Sequence, residues 1–286
     1  MHGEPDPLFP DLSGLRRGRY SWVPVVPGRL EFAFEVRRRI LAERPRVVAV
    51  ELPSTLESLF LQAIDRLPAL SVIVYTDTAY RPDAEADTAI YVPVEPADPF
   101  VEAIRTAREI GAEVVFADPD SAERPHISAA YPDSYALHTI KLEQYADAWR
   151  LHPQPRTPEI EAFAAGVAWK LQGCDPFAET LVVISLNLMD PVRDAMEVPQ
   201  PEPVSRFREM PRLLNPHPDC LGEITVDYPY LQERYENYRV EMVHRESIDR
   251  RRVQIALFRE AGEAWQINTG ETMHHWQRRL LARYSR

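Results

Sequence analysis

Two short apolar runs in this chain end in acids. Val47-Val48-Ala49-Val50 leads directly into Glu51-Leu52-Pro53, and Val114-Val115-Phe116-Ala117 leads into Asp118-Pro119-Asp120. A carboxylate fixed where a buried strand leaves its sheet can take a proton from a reacting group or ligate a divalent cation through oxygen. In open parallel sheets, ligands collect outside the carboxyl ends of the strands. Glu51 therefore reads as a general base or metal ligand, with an arginine pair or a cap on the following helix as the competing role. Asp118 and Asp120 suit metal or acid/base work, and Asp-Pro-Asp equally suits a turn. His126, in the long loop after Asp120, is the imidazole closest in sequence to these acids, and His138 lies on the segment beyond it. The 8 histidines form no His-Glu-x-x-His or other zinc spacing, and His274-His275 is a weak metal signal.

Other chemistries lack their motifs. There is no Gly-x-Gly-x-x-Gly or Walker-type loop, and 27 prolines against 10 glycines imply stiff connections rather than phosphate-cradling loops. A Gly-x-Ser-x-Gly elbow is absent, and neither Cys174 nor Cys220 stands beside a histidine, which leaves a serine or cysteine nucleophile unsupported. Two cysteines are too few for a disulfide framework or a four-thiolate zinc site. A net charge of −11 disfavours nucleic acid and anionic membrane surfaces as partners, because binding phosphates requires positive charge. Residues 1–18 contain no apolar leader core, and no apolar run reaches 18 residues, so the expected location is the cytoplasm.

The elements that would position the acids can be read from periodicity and punctuation. Leu30, Ala33, Phe34, Ile40 and Leu41 give residues 29–43 a one-sided helical pattern that stops at Arg44-Pro45. The unalternated run 46–52 fits a strand covered on both faces. Ser54 with Glu57 predicts a capping box opening a helix through Leu67. Strands are expected at 70–75, 89–94 and 113–117, with a helix from Asp98-Pro99 to Gly111 between the last two. An amphipathic helix over 134–149 and a Thr157-Pro158 helix ending at Gly173 follow, and Asp175-Pro176-Phe177 repeats the earlier helix-start chemistry. Residues 181–189 are too uniformly apolar to assign by period and allow a buried helix. Trp149, Trp169, Trp265 and Trp276 occupy helical positions that suit core or interhelix packing. Four strands interleaved with helices predict an α/β fold with a mainly parallel sheet flanked by helices, and a helical C-terminal part.

The same reading divides the chain into an N-terminal extension (1–19), an α/β domain (20–190), a connection or insertion with eight prolines (191–229) and a helical region (230–286). Asp249-Arg250-Arg251-Arg252 fits a solvated helix face. The pattern runs helical up to residue 286 without a stop signal, as in a piece of a longer chain.

Three stretches resemble the superfamily of TraB/Tiki-like, erythromycin esterase-like and ChaN-like proteins. Arg44-Pro45-Arg46-Val47-Val48-Ala49-Val50-Glu51-Leu52 is similar to a strand of that group. Pro99 to Asp118, including Ala107-Arg108-Glu109-Ile110-Gly111-Ala112-Glu113, is similar to its second helix and strand, and Glu233-Arg234-Tyr235-Glu236-Asn237 is more faintly similar to a later element. The resemblance, over roughly residues 20 to 120, implies a metal-dependent or acid/base hydrolase. The chain departs from the family before its first helix. Where the family has Gly-x-x-His or His-His, this sequence has Trp22-Val23-Pro24-Val25-Val26-Pro27-Gly28-Arg29.

Two expectations follow. The first is a divergent hydrolase built on Glu51, Asp118, Asp120 and His126, with a divalent metal as the candidate cofactor. The second is a non-catalytic binding or scaffold subunit of a bacterial-type cytoplasmic complex, engaging a protein partner through its C-terminal helices.

Overall fold

In the computed structural model, residues 14–76, 89–121, 125, 131–152, 155–204, 209–241 and 248–284 are described. His126, and Asp77, Asp83, Glu85 and Asp87 of the loop before 89, lie outside them. The chain divides into one unit ending at Pro218 and a second from Asp219 to Arg286.

In the first unit, β1 (Arg16–Arg17) and β2 (Tyr20–Val25) are followed by α1 (Leu30–Glu43) and β3 (Val47–Pro53). Then come α2 (Glu57–Ile64), β4 (Ser71–Thr76), β5 (Ala89–Val94), α3 (Pro99–Ile110) and β6 (Glu113–Asp118). The unit continues with α4 (Leu142–Arg150), α5 (Pro158–Gln172), β7 (Thr180–Ser185), α6 (Met189–Ala195) and β8 (Glu209–Leu214). The main sheet has the order β1-β2-β7-β3-β6. Its last four strands are parallel and the two-residue β1 is antiparallel, so the α/β architecture is as expected from the sequence.

Burial accounts for the order. Every residue of β3 and β7 is buried, and these strands lie side by side in the sheet interior. The 181–189 run is thus mainly strand: Val182, Val183 and Ile184 are β-branched and stiff at χ1, and a position between two other strands hides both faces. The connections β2→β3 and β3→β6 cross the sheet in one direction, and β6→β7 returns. With right-handed crossovers throughout, α5 must cover the face opposite to α1 and α3. Those two helices pack on each other, and Arg37 of α1 reaches Glu102 at 3.3 Å and Glu109 at 2.8 Å on α3.

Several local expectations are corrected. β4 and β5 are not part of the parallel sheet; with β8 they form an antiparallel three-stranded sheet of order β5-β4-β8. β5 keeps exposed positions at Ala89 and Tyr91, as suits an edge strand with one wet face, whereas a strand inside a parallel sheet is covered on both. The strand β8 lies within the proline-rich stretch. Residues 134–149 divide into a 3-10 turn, Ser134–His138, and α4. Asp175-Pro176-Phe177 makes a turn into β7 rather than a helix start, with Asp175 accepting from the Phe177 N–H at 2.9 Å. The caps at Asp98 and Thr157 form: Asp98 accepts from the Phe100 and Val101 N–H groups, and Thr157 from that of Ile160.

The second unit comprises α7 (Leu221–Ile224), α8 (Pro229–Glu241), α9 (Arg250–Thr269) and α10 (His275–Tyr284). Its buried apolar residues, among the described residues, are Leu231, Tyr235, Ile248 and Val253. Val253 alone is buried among the 20 residues of α9. Trp149 is buried as expected, but Trp265 and Trp276 are 41% and 63% exposed, so core packing does not explain them. Among the described residues, no helix is long and apolar enough to cross a membrane.

Candidate functional site at the carboxyl edge of the sheet

Glu51 and Asp118 occupy the carboxyl ends of adjacent strands, the arrangement a shared site requires. The β3–β6 register pairs Val50 with Phe116 and then, after a shift, Pro53 with Asp118. That irregularity lets β3 leave the ladder as it passes Glu51, and such breaks re-aim side chains at sheet ends. Glu51, Asp118 and Asp120 are all buried, at 3%, 1% and 2% exposure. A buried carboxylate persists only where donors replace water, and each of the three has one. The Ser185 N–H at the end of β7 donates to Glu51 Oε2 at 2.7 Å. The Asp120 N–H donates to Asp118 Oδ1 at 2.7 Å. The Thr55 hydroxyl, just past β3, donates to Asp120 Oδ2. The three acids thereby tie together the ends of β3, β6 and β7.

Asp120 has φ 55°, in the left-handed region that a non-glycine residue rarely adopts. Aspartate tolerates it better than most, and such conformations cluster at sites where the surroundings over-determine the backbone. Here Pro119 precedes it and α5 presses against the turn. A Cβ placed on Gly166 would lie 2.6 Å from Pro119 Cβ, so only glycine lets the helix approach this closely.

α5 also delivers a cation. Lys170 Nζ donates to Ser54 Oγ at 3.2 Å and, among the described residues, makes no ion pair. Ser54 therefore does not cap a helix, and the predicted box with Glu57 does not form: the turn Ser54–Leu56 and α2 both start without a side-chain cap. On the other side stands Tyr131, stacked on Trp149 with ring centroids 5.2 Å apart. Burial, together with the nearby Glu51 charge, pushes its phenol up to about 12. The strand-like segment after it is anchored by Ser134, whose hydroxyl donates to Glu31 of α1 at 2.8 Å, and by the Tyr145 hydroxyl bonded to the Pro132 carbonyl at 2.6 Å. The Gly28 N–H donates to Asp98 Oδ2 at 2.8 Å, which fixes the loop leaving β2 onto the start of α3.

The structure places Glu51, Asp118 and Asp120 at the carboxyl ends of the adjacent strands β3 and β6, with Glu51 bonded toward β7. His138 packs its ring on Tyr135, 4.5 Å between centroids, within the 3-10 turn. Sequence reasoning places Tyr131 on a loop expected to wall the site and takes Ser54 only as a helix cap; it misses Thr55, Lys170 and Ser185. The hydroxyls of Ser54 and Thr55 were within reach, since they directly follow the strand that ends in Glu51. Lys170 and Ser185 carry no local signal, because only the return of α5 and β7 across the sheet brings them here.

Among the described residues, no group of three or more His, Cys, Asp or Glu side chains is placed to hold a metal ion. The three acids face backbone and hydroxyl donors rather than one common point. The divalent-metal expectation therefore lacks a ligand set in this part of the chain. The chain matches no protein family model, no curated protein and no solved structure.

Proposed function

We propose that this chain is a divergent acid/base hydrolase of the superfamily it resembles, with its reacting groups at the carboxyl edge of the main sheet. The observation carrying the reading is the burial of Glu51, Asp118 and Asp120 at adjoining strand ends, beside Lys170, which makes no ion pair among the described residues. In this reading Asp120, on the left-handed turn and oriented by Thr55, activates water as general base. Lys170 and the Ser54 hydroxyl stabilise the negative charge that develops on the attacked group. Glu51 and Asp118 position the turn and the strand ends around them, and Tyr131 forms a wall that excludes water from the Glu51 side.

The test is turnover of a panel of simple carboxylic esters, amides and phosphoesters by purified wild type and by Asp120→Asn, Lys170→Met and Glu51→Gln, each checked for an unchanged circular dichroism spectrum. Losses of about 100-fold or more for Asp120→Asn and Lys170→Met would fit the usual weight of a general base or an electrostatic donor. Turnover in the wild type that both folded variants retain would refute the assignment.

A second reading is favoured by a different observation. Ile255, Ile267, Trp276 and Leu280 on α9 and α10 are between 46% and 83% exposed. A protein-binding role for these helices, in a cytoplasmic complex, would account for apolar residues that the fold itself does not bury. It predicts that Ile267→Glu abolishes co-purification of a partner while leaving the acid cluster intact.

A further inference from the structure

The opposite edge of the main sheet, where β2 begins, carries a second concentration of charge of the other sign. A cavity of about 280 Å3 is lined there by Arg17, Arg19, Tyr20, Trp22, Met196, Glu197 and Arg193, together with Gly18. Three guanidiniums thus face one carboxylate. Glu197 is taken by Arg17. Among the described residues, Arg19 donates to neutral acceptors: the carbonyls of Asp175, Ala178 and Cys174, and the Tyr20 hydroxyl at 2.5 Å, with its guanidinium 4.5 Å from the Tyr20 ring centroid. Among the described residues, the carboxylate within ion-pair distance of Arg193 is Asp190, at 3.5 Å. That carboxylate is already held by Arg150 through two bonds of 3.0 Å.

Two further facts show that this charge is poorly compensated. Among the described residues, Arg193 Nε is buried without an acceptor, and so is the indole N–H of Trp22, itself only 2% exposed. Buried donors are almost always paired. Burial lowers the affinity of the Arg193 guanidinium for its proton; Asp190 opposes this, Arg150 and Arg17 add to it, and Asp194 opposes it more weakly. Gly14 passes close to this guanidinium: a Cβ added there would lie 3.1 Å from Nη2, tighter than an ordinary contact.

We infer that this cavity binds a phosphate monoester whose small apolar or aromatic body lies against Tyr20 and Met196. Guanidinium forks match phosphate oxygens in geometry, and a site with two more cations than anions matches a dianion better than a monocarboxylate. The cavity volume limits the ligand to about the size of a substituted ring, near the lower end of ordinary small-molecule sites. The site lies at the amino ends of the strands and is independent of the acid cluster at their carboxyl ends.

Calorimetric titration of the full chain with phenyl phosphate, inorganic phosphate and benzoate tests the assignment. Saturable binding of phenyl phosphate is expected, tighter than inorganic phosphate and at least tenfold tighter than benzoate. Arg193→Gln and Arg19→Gln should each weaken it tenfold or more. Because losing an arginine can also disturb packing, Glu197→Gln supplies the opposite sign: removing the competing carboxylate should tighten binding several-fold. No saturable binding of phenyl phosphate, affinity unchanged in both arginine variants, or weaker binding by Glu197→Gln would each overturn the proposal. Tighter binding of benzoate than of phenyl phosphate would overturn the phosphate assignment.

Discussion

The two edges of the main sheet treat charge in opposite ways. At the carboxyl edge, Glu51, Asp118 and Asp120 are nearly inaccessible to water, yet each accepts from a backbone N–H or a hydroxyl whose position the strands fix. At the amino edge, Arg19 and Arg193 are held by neutral acceptors or share a carboxylate already in use. Parallel strands explain part of the contrast. Where they end, backbone N–H groups without ladder partners can turn to carboxylates, as Ser185 does to Glu51; guanidiniums need acceptors, and carbonyls satisfy their hydrogen bonds without balancing their charge. Each acid is thus met by at least one donor within the chain, and the basic edge is matched to an anion.

Substitutions can break this contrast. Glu51→Ala should have the largest effect, about 3 kcal/mol of lost stability in urea denaturation, because it strands the buried Ser185 N–H and leaves a hole between strands. Glu51→Gln keeps an acceptor and should cost about half as much or less; an equal loss would mean that charge, rather than the bond, is what the strand ends need. Gly166→Ala follows at about 2 kcal/mol, the usual range for forcing a methyl group into a filled contact. By displacing Pro119 it should also reduce any activity that depends on Asp120.

At the other edge, Arg193→Met should change stability by less than about 1 kcal/mol, and in the stabilising direction, since replacing a poorly paired, half-buried charge with an apolar side chain removes a desolvation cost at little loss of pairing. A loss of several kcal/mol in the same denaturation experiment would show that the guanidinium is structurally compensated and would erase the contrast.

The smallest effect is in the alkaline range. The folded Tyr131 phenol titrates near 12, above the ordinary value of about 10. Its contribution to stability is therefore full below pH 10 and is lost as pH rises from about 10 to about 12, where the unfolded chain releases this proton first. Tyr131→Phe should flatten that part of the stability–pH curve. An unchanged slope would place the phenol in water, away from Glu51.

Legibility in the sequence followed how local each determinant is. Asp98 and Thr157 open their helices because a cap needs only its own next three residues. The acid-ended strands were legible because four apolar residues followed by a carboxylate form a contiguous signal. Ser54 was misread for the converse reason. Its match to a capping box is local, but Lys170 lies 116 residues away and takes the hydroxyl instead. β4 and β5 were placed in the wrong sheet because strand pairing is a long-range choice that period-two patterning does not encode. The arginine cavity was invisible as well, since Arg17, Arg19 and Arg193 are ordinary surface residues by composition until α6 folds back beside β2.

The sequence by itself determined that this is an α/β chain with helices flanking buried parallel strands, and that two of those strands end in acids, because apolar runs, caps and breakers act within a few residues. Only the tertiary structure decided that β7 lies between β2 and β3, that its Ser185 N–H secures Glu51, and that α5 brings Lys170 to the acid edge. Those facts depend on which distant segments bury each other's surfaces, and burial is a property of the assembled sheet.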